Sequence, residues 1–217
     1  MTAFTTTTTT TKRPRLDRMT VVAAARDMLD EQGVAAFSMA RLGERLGVTA
    51  MALYRHVEDR ADLETAVVEL VLRELASSQE HVEEWESGVA AWMHSVRRCW
   101  VAHPWIGGLL GTRTDVSAPW LVAMERLAAV LAPARLPATV LAQELVLISR
   151  GTIGVLWQEV NAPLPQSGVT ARSFAHLPVT ARRRWDSLMK VLRTYGNDEL
   201  FDDHVAATLE RLRARSS

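Results

Sequence analysis

Leu46-Gly47-Val48-Thr49 constrains this chain more tightly than any other segment. Upstream, Met39, Leu42 and Leu46 recur at i, i+3 and i+7 behind Ser38, a residue whose side-chain oxygen suits a helix N-cap. Gly47 permits the left-handed backbone that stops a helix, Val48 offers an apolar plug for a corner, and Thr49 supplies a hydroxyl to open the next helix at once. Stop, plug and cap in that order are what a helix-turn-helix requires.

The flanking residues complete a small three-helix unit. Asp17 reads as the cap of a first helix with Val21, Val22, Ala25, Met28 and Leu29 on its inner face and Gly33 at its end. The third helix, after Thr49, has Leu53 and Val57 four apart on its inner face. Asp59 caps a fourth, with Asp62 in its first turn, a stripe of Leu63, Ala66, Val67, Leu70 and Val71, and an expected end near Gln79. The face left open on the third helix carries Thr49, Ala50, Met51, Ala52, Arg55 and His56. Small residues at a leading end suit a helix entering a groove about 12 Å wide, and Tyr54, Arg55 and His56 can reach backbone oxygens from its flank.

Residues Phe37 to Leu63, FSMARLGERLGVTAMALYRHVEDRADL, resemble the helix-turn-helix of the TetR family of bacterial transcription regulators, and GVTAMALYRHV is close to that family's most recognisable string. The resemblance covers 27 of 217 residues. It implies an all-α protein: a DNA-binding domain over 17–62 and a helical effector-binding and dimerisation domain over 63–217. It also implies a homodimer with two DNA-binding heads and a small-molecule effector of unknown identity. By the same resemblance Tyr54, His56 and Arg60 touch phosphates and Ala50 to Ala52 face base edges, with Ser38 and Arg41 beside them. Position 40 is Ala where family members often carry a polar residue, and the third helix has neither Asn nor Gln. Bidentate adenine recognition is therefore absent from it, leaving Arg55 for guanine and the Ala and Met methyls for thymine.

The chain has 25 basic and 25 acidic residues, so attraction to a polyanion must be local. From Lys12 to Arg60 there are nine basic and seven acidic residues. Lys12, Arg13 and Arg15 flank Pro14 after the Thr-rich stretch, in a segment 1–16 expected to be disordered. They read either as a solvated linker or as an arm on a phosphate backbone or in a minor groove, and the motif that follows favours the arm. A weakly basic head needs a second one at fixed separation, so a pseudo-palindromic double-stranded operator with half-sites about 34–36 Å apart, or a multiple, is expected.

Beyond residue 75 helical periodicity continues with proline punctuation. Helices are expected over Trp85–Ala102, Trp105–Leu110, Ser117–Ala132, Pro137–Val160, Thr180–Tyr195 and Asp198–Ala214. The eighth is apolar nearly all round, which predicts burial on more than one side. The resemblance to the TetR family implies that its two sides face the domain core and a partner subunit, with the tenth helix alongside, its stripe Phe201, Val205, Leu209 and Leu212 completing a four-helix interface. Of seven Trp in the chain, six fall in the middle of this domain. Core packing accounts for each singly, whereas together they suit an aromatic pocket. Its expected lining is Trp92, Trp100 and His103 on the fifth helix, Trp120 and Met124 on the seventh, and Gln143, Leu147, Arg150 and Trp157 on the eighth. Arg150, amid apolar neighbours, needs either a salt bridge to Glu144 or Glu125 or an anionic effector.

Other chemistry lacks its residues. The six histidines show no metal-ligand spacing, Gly151–Gly154 lacks the ending of a phosphate loop, no G-x-S-x-G elbow occurs, and Cys99 has no activating base. No cofactor, metal or enzymatic activity is expected. A single cysteine, the Thr tract at the start and the absence of an apolar run near ~18 residues predict a cytoplasmic protein that does not cross a membrane. Three readings follow: a ligand-responsive DNA-binding regulator, a DNA-binding architectural or partner-recruiting protein of the same fold without an effector, and a helical enzyme or transport accessory with a vestigial head.

Overall fold

The computed structural model describes residues 16–77, 84–110, 118–164 and 171–216. The expected arm residues Lys12, Arg13 and Arg15, and the expected ends of helices at Gln79 and Ser117, lie outside them. The head comprises α1 (Arg18–Ala36), α2 (Met39–Leu46) and α3 (Ala50–Leu53), followed by α4 (Arg60–Ser77). The larger bundle adds α5 (Trp85–Ala102), α6 (Ile106–Leu110), α7 (Ala118–Leu131), α8 (Ala138–Asn161), α9 (Val179–Leu192) and α10 (Asn197–Arg213). No strand occurs among the described residues.

The caps follow the side-chain chemistry. The Asp17 carboxylate accepts from Thr20 N at 2.8 Å, Ser38 Oγ from Arg41 N at 3.3 Å, and Asp59 from Asp62 N at 2.7 Å. Glu199 reaches back to Gly196 N at 3.0 Å to open α10. Gly33, at φ 71°, breaks the helical backbone of α1, and a short turn carries the chain on to Ala36. Thr49 occupies the N-cap position of α3 but its side chain makes no capping bond. With that bond missing, α3 keeps four helical residues; Tyr54, Arg55 and His56 continue it as hydrogen-bonded turns.

Gly43 closes the corner. A Cβ there would lie 2.8 Å from the carbonyl oxygen of Val48 and 3.0 Å from Ala50 N, so α2 meets α3 backbone to backbone. Leu42 and Leu53 are buried beneath this crossing, each burial stabilising by about 1.5–3 kcal/mol. α4 packs against α1 in the head and against α5, α6 and α7 in the bundle, so one helix spans both units and one apolar core runs through them.

α8 departs from expectation in one respect. It has 24 residues, and an 18-residue window within it, of mean hydropathy 1.3, makes it long and apolar enough to cross a membrane, against the reading that no such run exists. It packs instead on α5, α7 and α10 through Glu144, Ile148, Ser149, Thr152 and Leu156.

Candidate nucleic-acid interface and effector domain

Helix α3 buries only Leu53 and turns the rest of its short surface outward. Met51 is 74% exposed and Tyr54 43%, Thr49 and Arg55 are exposed, and Ala50, Ala52 and His56 are half-buried at the edges. Arg41 stands on the adjoining face of α2, with Ser38 half-buried at its start, and donates to Ala36 O at 2.8 Å. Among the described residues no carboxylate pairs with Arg41 or Arg55, whereas Arg45 is held bidentately by Glu31 at 2.6 and 2.7 Å. Of the described arginines on this side, Arg41 and Arg55 are thus the two that no carboxylate holds. Arg60 lies with its guanidinium 5.4 Å from the centre of the Phe37 ring and donates to Glu64 at 2.7 Å. Its charge stands at the start of α4, beside the head.

Two polar junctions set the angle of this surface, and neither is legible in the local pattern. Arg18 donates both terminal nitrogens to Asp62, at 2.7 and 2.8 Å, and also donates to the carbonyl oxygen of His56 at 3.0 Å. Asp62 accepts further from Glu58 N at 2.9 Å. The Arg18 bonds and this backbone bond hold its carboxyl down to about 2. The junction joins α1, the end of the recognition segment and α4. Asp30 on α1 forms the second: one carboxylate oxygen lies 2.7 Å from His103 Nδ1 and accepts from Trp105 Nε1 at 2.6 Å. It ties the head to the corner between α5 and α6.

The expected pocket does not assemble. Trp92 and Trp100 are 2% and 1% exposed, and the Trp92 indole donates to Ala123 O at 2.9 Å, so both are packing groups of the α5–α7 core. Trp120 is tilted against Trp92 with ring centres 6.3 Å apart, Met124 is half-buried beside it, and His103 is engaged by Asp30. Gln143, Leu147 and Arg150 point the other way, onto the exposed face of α8, while Trp157, 44% exposed, lays its ring against Gly107, where Trp100 Nε1 also lies: a Cβ at Gly107 would be 3.2 Å from each. Arg150 is exposed, and the salt bridge expected for it is made by others: buried Glu144 pairs with Arg211 at 3.1 Å and Arg215 at 3.0 Å across the α8–α10 seam. Helical spacing identifies a common face without saying which way it looks.

The same correction applies to the expected interface stripe. Phe201 and Leu212 are fully buried and Val205 nearly so, packed in the core of their own chain, with Leu209 half-buried. Phe201 sits under the Arg97 guanidinium at 4.9 Å, and Arg97 bridges Glu159 at 2.8 Å and Asp198 at 2.5 Å, which raises its already high pKa. The faces left outward are Val146, Leu147, Arg150, Gly154 and Trp157 on α8 and Ala206, Ala207 and Glu210 on α10. Cys99 is held by burial in its thiol form, its pKa pushed up to about 12. No group of three or more His, Cys, Asp or Glu poised for a metal occurs among the described residues.

Comparison with known proteins agrees with this architecture. Residues 21–67 match the model of bacterial regulatory proteins of the tetR family, and 78–212 match the tetracyclin repressor-like C-terminal domain. An HTH-type transcriptional regulator of Saccharopolyspora erythraea is 33% identical over 122 residues, 56% of this chain and about half (52%) of that protein. The class A tetracycline repressor from transposon 1721 of Escherichia coli is 27% identical over 203 residues, 93% of this chain and 92% of the repressor. Among solved structures, Streptomyces coelicolor ActR in complex with actinorhodin superposes with a TM-score of 0.77 at 25% identity, over 93% of this chain and 97% of ActR. With the head and the greater part of the helical bundle both matched, the chain belongs to the TetR family of bacterial regulatory proteins, DNA-binding regulators of transcription.

Proposed function

We propose that this protein is a ligand-responsive repressor that binds a pseudo-palindromic operator as a homodimer and is released by a small apolar or aromatic effector. The observation that carries the DNA-binding part is the exposed surface of α3, with Met51, Tyr54 and Arg55 outward and Arg18 fastening its end to α4. Phosphate contacts from Tyr54, His56 and Arg60 set the register, while Arg55 and the Ala50–Met51–Ala52 methyls read bases, with preference for guanine and thymine. The arm at Lys12, Arg13 and Arg15 adds sequence-independent affinity.

Two heads are joined through the outward faces of α8 and α10, where Val146, Leu147 and Trp157 leave an apolar surface exposed. Effector response is supported by relatives whose names record it: a tetracycline repressor, and ActR in complex with actinorhodin. Release requires that the ligand favour a head spacing unlike the operator's, by its differential affinity for the two states. The close packing of Trp92 and Trp100 favours a second reading, a DNA-binding architectural protein of the same fold with no effector.

The test is selection of duplex DNA from a random pool, then titration of the selected duplex over a range of salt. Tyr54→Phe should weaken binding to every sequence alike with little change in salt dependence, because a phenol is uncharged, whereas Arg60→Ala should also flatten the slope; undiminished affinity in Tyr54→Phe removes Tyr54 from the phosphate contacts. Recovery of no preferred duplex would sink the regulator reading itself.

A further inference from the structure

We propose that Met51 is a redox modification site: a peroxide oxidises its thioether to the sulfoxide, and the sulfoxide lowers the affinity of the head for duplex DNA. The oxidation stands on exposure and sulfur chemistry, and its effect on affinity rests on the reading above that α3 meets the bases.

The distribution of sulfur singles this residue out. Met51 is 74% exposed, more than any other large apolar residue among those described, and its neighbours Ala50 and Ala52 are too small to shield it. Met28, Met39 and Met93 are buried, while Met124 and Met189 are half-buried. Cys99, the single cysteine of the chain, is kept by burial as the unreactive thiol, its pKa pushed up to about 12. A thiolate would otherwise take the oxidant first, so the chemistry falls to an open thioether. Met19, at the start of α1, is the other exposed methionine among the described residues and serves as a comparison.

The step balances with peroxide as the one reagent. A sulfur lone pair attacks one oxygen of hydrogen peroxide, the O–O bond breaks as the S–O bond forms, and sulfur gives up two electrons. The departing hydroxide collects the proton from the transferred oxygen and leaves as water. A thiol-dependent sulfoxide reductase reverses the change, two thiols closing to a disulfide while the oxygen leaves as water.

Polarity is what the modification alters. The thioether is soft and apolar and packs on a thymine methyl, whereas the sulfoxide oxygen would have to shed its water to lie there. Arg55 follows four residues on, exposed and held by no carboxylate among the described residues. Side chains at that separation on successive turns meet, and a sulfoxide oxygen is an acceptor for a guanidinium. Oxidation therefore removes an apolar contact and also draws Arg55 away from guanine.

The test uses the full chain, hydrogen peroxide and the selected duplex. Peptide mass spectrometry maps each gain of one oxygen, and duplex affinity is measured before and after treatment, with circular dichroism to verify folding. Met51 should be oxidised while Met28, Met39 and Met93 are spared, and affinity should fall by about tenfold or more. Met51→Leu, which has no sulfur, should show the same affinity after peroxide as before it, whatever its starting value. Met19→Leu should lose affinity on treatment as the wild type does. A sulfoxide reductase with a dithiol should restore binding to the oxidised wild type. Wild-type affinity that survives complete oxidation of Met51, or an equal loss in Met51→Leu, overturns the proposal. If untreated protein selects no duplex, the regulator reading and the effect on affinity fail together, while the map of oxidised residues still decides whether Met51 is the modified site.

Discussion

At the scale of single residues, function in this head depends on groups whose roles are visible only in three dimensions. Gly43 resembles any helix-interior glycine in the sequence, while Gly47, at the obvious stop, attracts attention. Both are required, for different reasons: Gly47 for its φ of 67° and Gly43 because its neighbour is backbone that cannot yield. Gly43→Ala should destabilise the protein by about 1–3 kcal/mol despite the better helix propensity of alanine, measured by chemical denaturation. Asp62 provides a second test. Its carboxyl is held at about 2 in the folded protein, below the ordinary value of 3.8, so its contribution is complete above pH 4 and is lost as pH falls toward 2. The stability gap between the wild type and Asp62→Asn should therefore close over that interval, reduced in size because Arg18 is half-exposed. A gap independent of pH from 5 to 2 would show that Asp62 acts by packing alone.

At the scale of elements, helix existence and approximate ends follow from caps and periodicity, because both are local. Asp17, Ser38 and Asp59 open their helices as their side chains dictate. Orientation is another matter. In α8 one face, Gln143, Leu147, Arg150, Gly154 and Trp157, and its opposite, Glu144, Ile148, Thr152 and Leu156, each mix apolar residues with one charge and one uncharged polar group, and the choice falls to the neighbouring helices. Glu144, the residue least suited to burial, is fully buried because Arg211 on α10 and Arg215 just past its end meet it there. The stripe Phe201–Val205–Leu212 is likewise consumed by its own chain. The proposed dimer therefore rests on the outer face of α8, and Leu147→Glu should give a monomer by light scattering that binds the selected duplex poorly. A stable dimer carrying that substitution would move the interface elsewhere.

At the scale of the whole molecule, α4 and the Asp30 junction with His103 and Trp105 tie the head to the bundle. Asp30→Ala frees one tie while leaving the core of each unit intact. It should loosen the head, seen as faster hydrogen exchange over 24–36, and change duplex affinity with little effect on the bundle's melting. Unaltered exchange in α1 would show that α4 alone sets the angle. By itself the sequence determined the helical composition, the turn at Leu46–Thr49 and the chemistry of the recognition segment, since caps, glycine stops and apolar spacing act over a few residues. Tertiary structure alone decided which face of α8 and α10 is interior and which arginines no carboxylate holds. Those outcomes depend on pairs such as Arg18 with Asp62 and Glu144 with Arg211, whose partners lie tens of residues apart and meet only once the helices have packed.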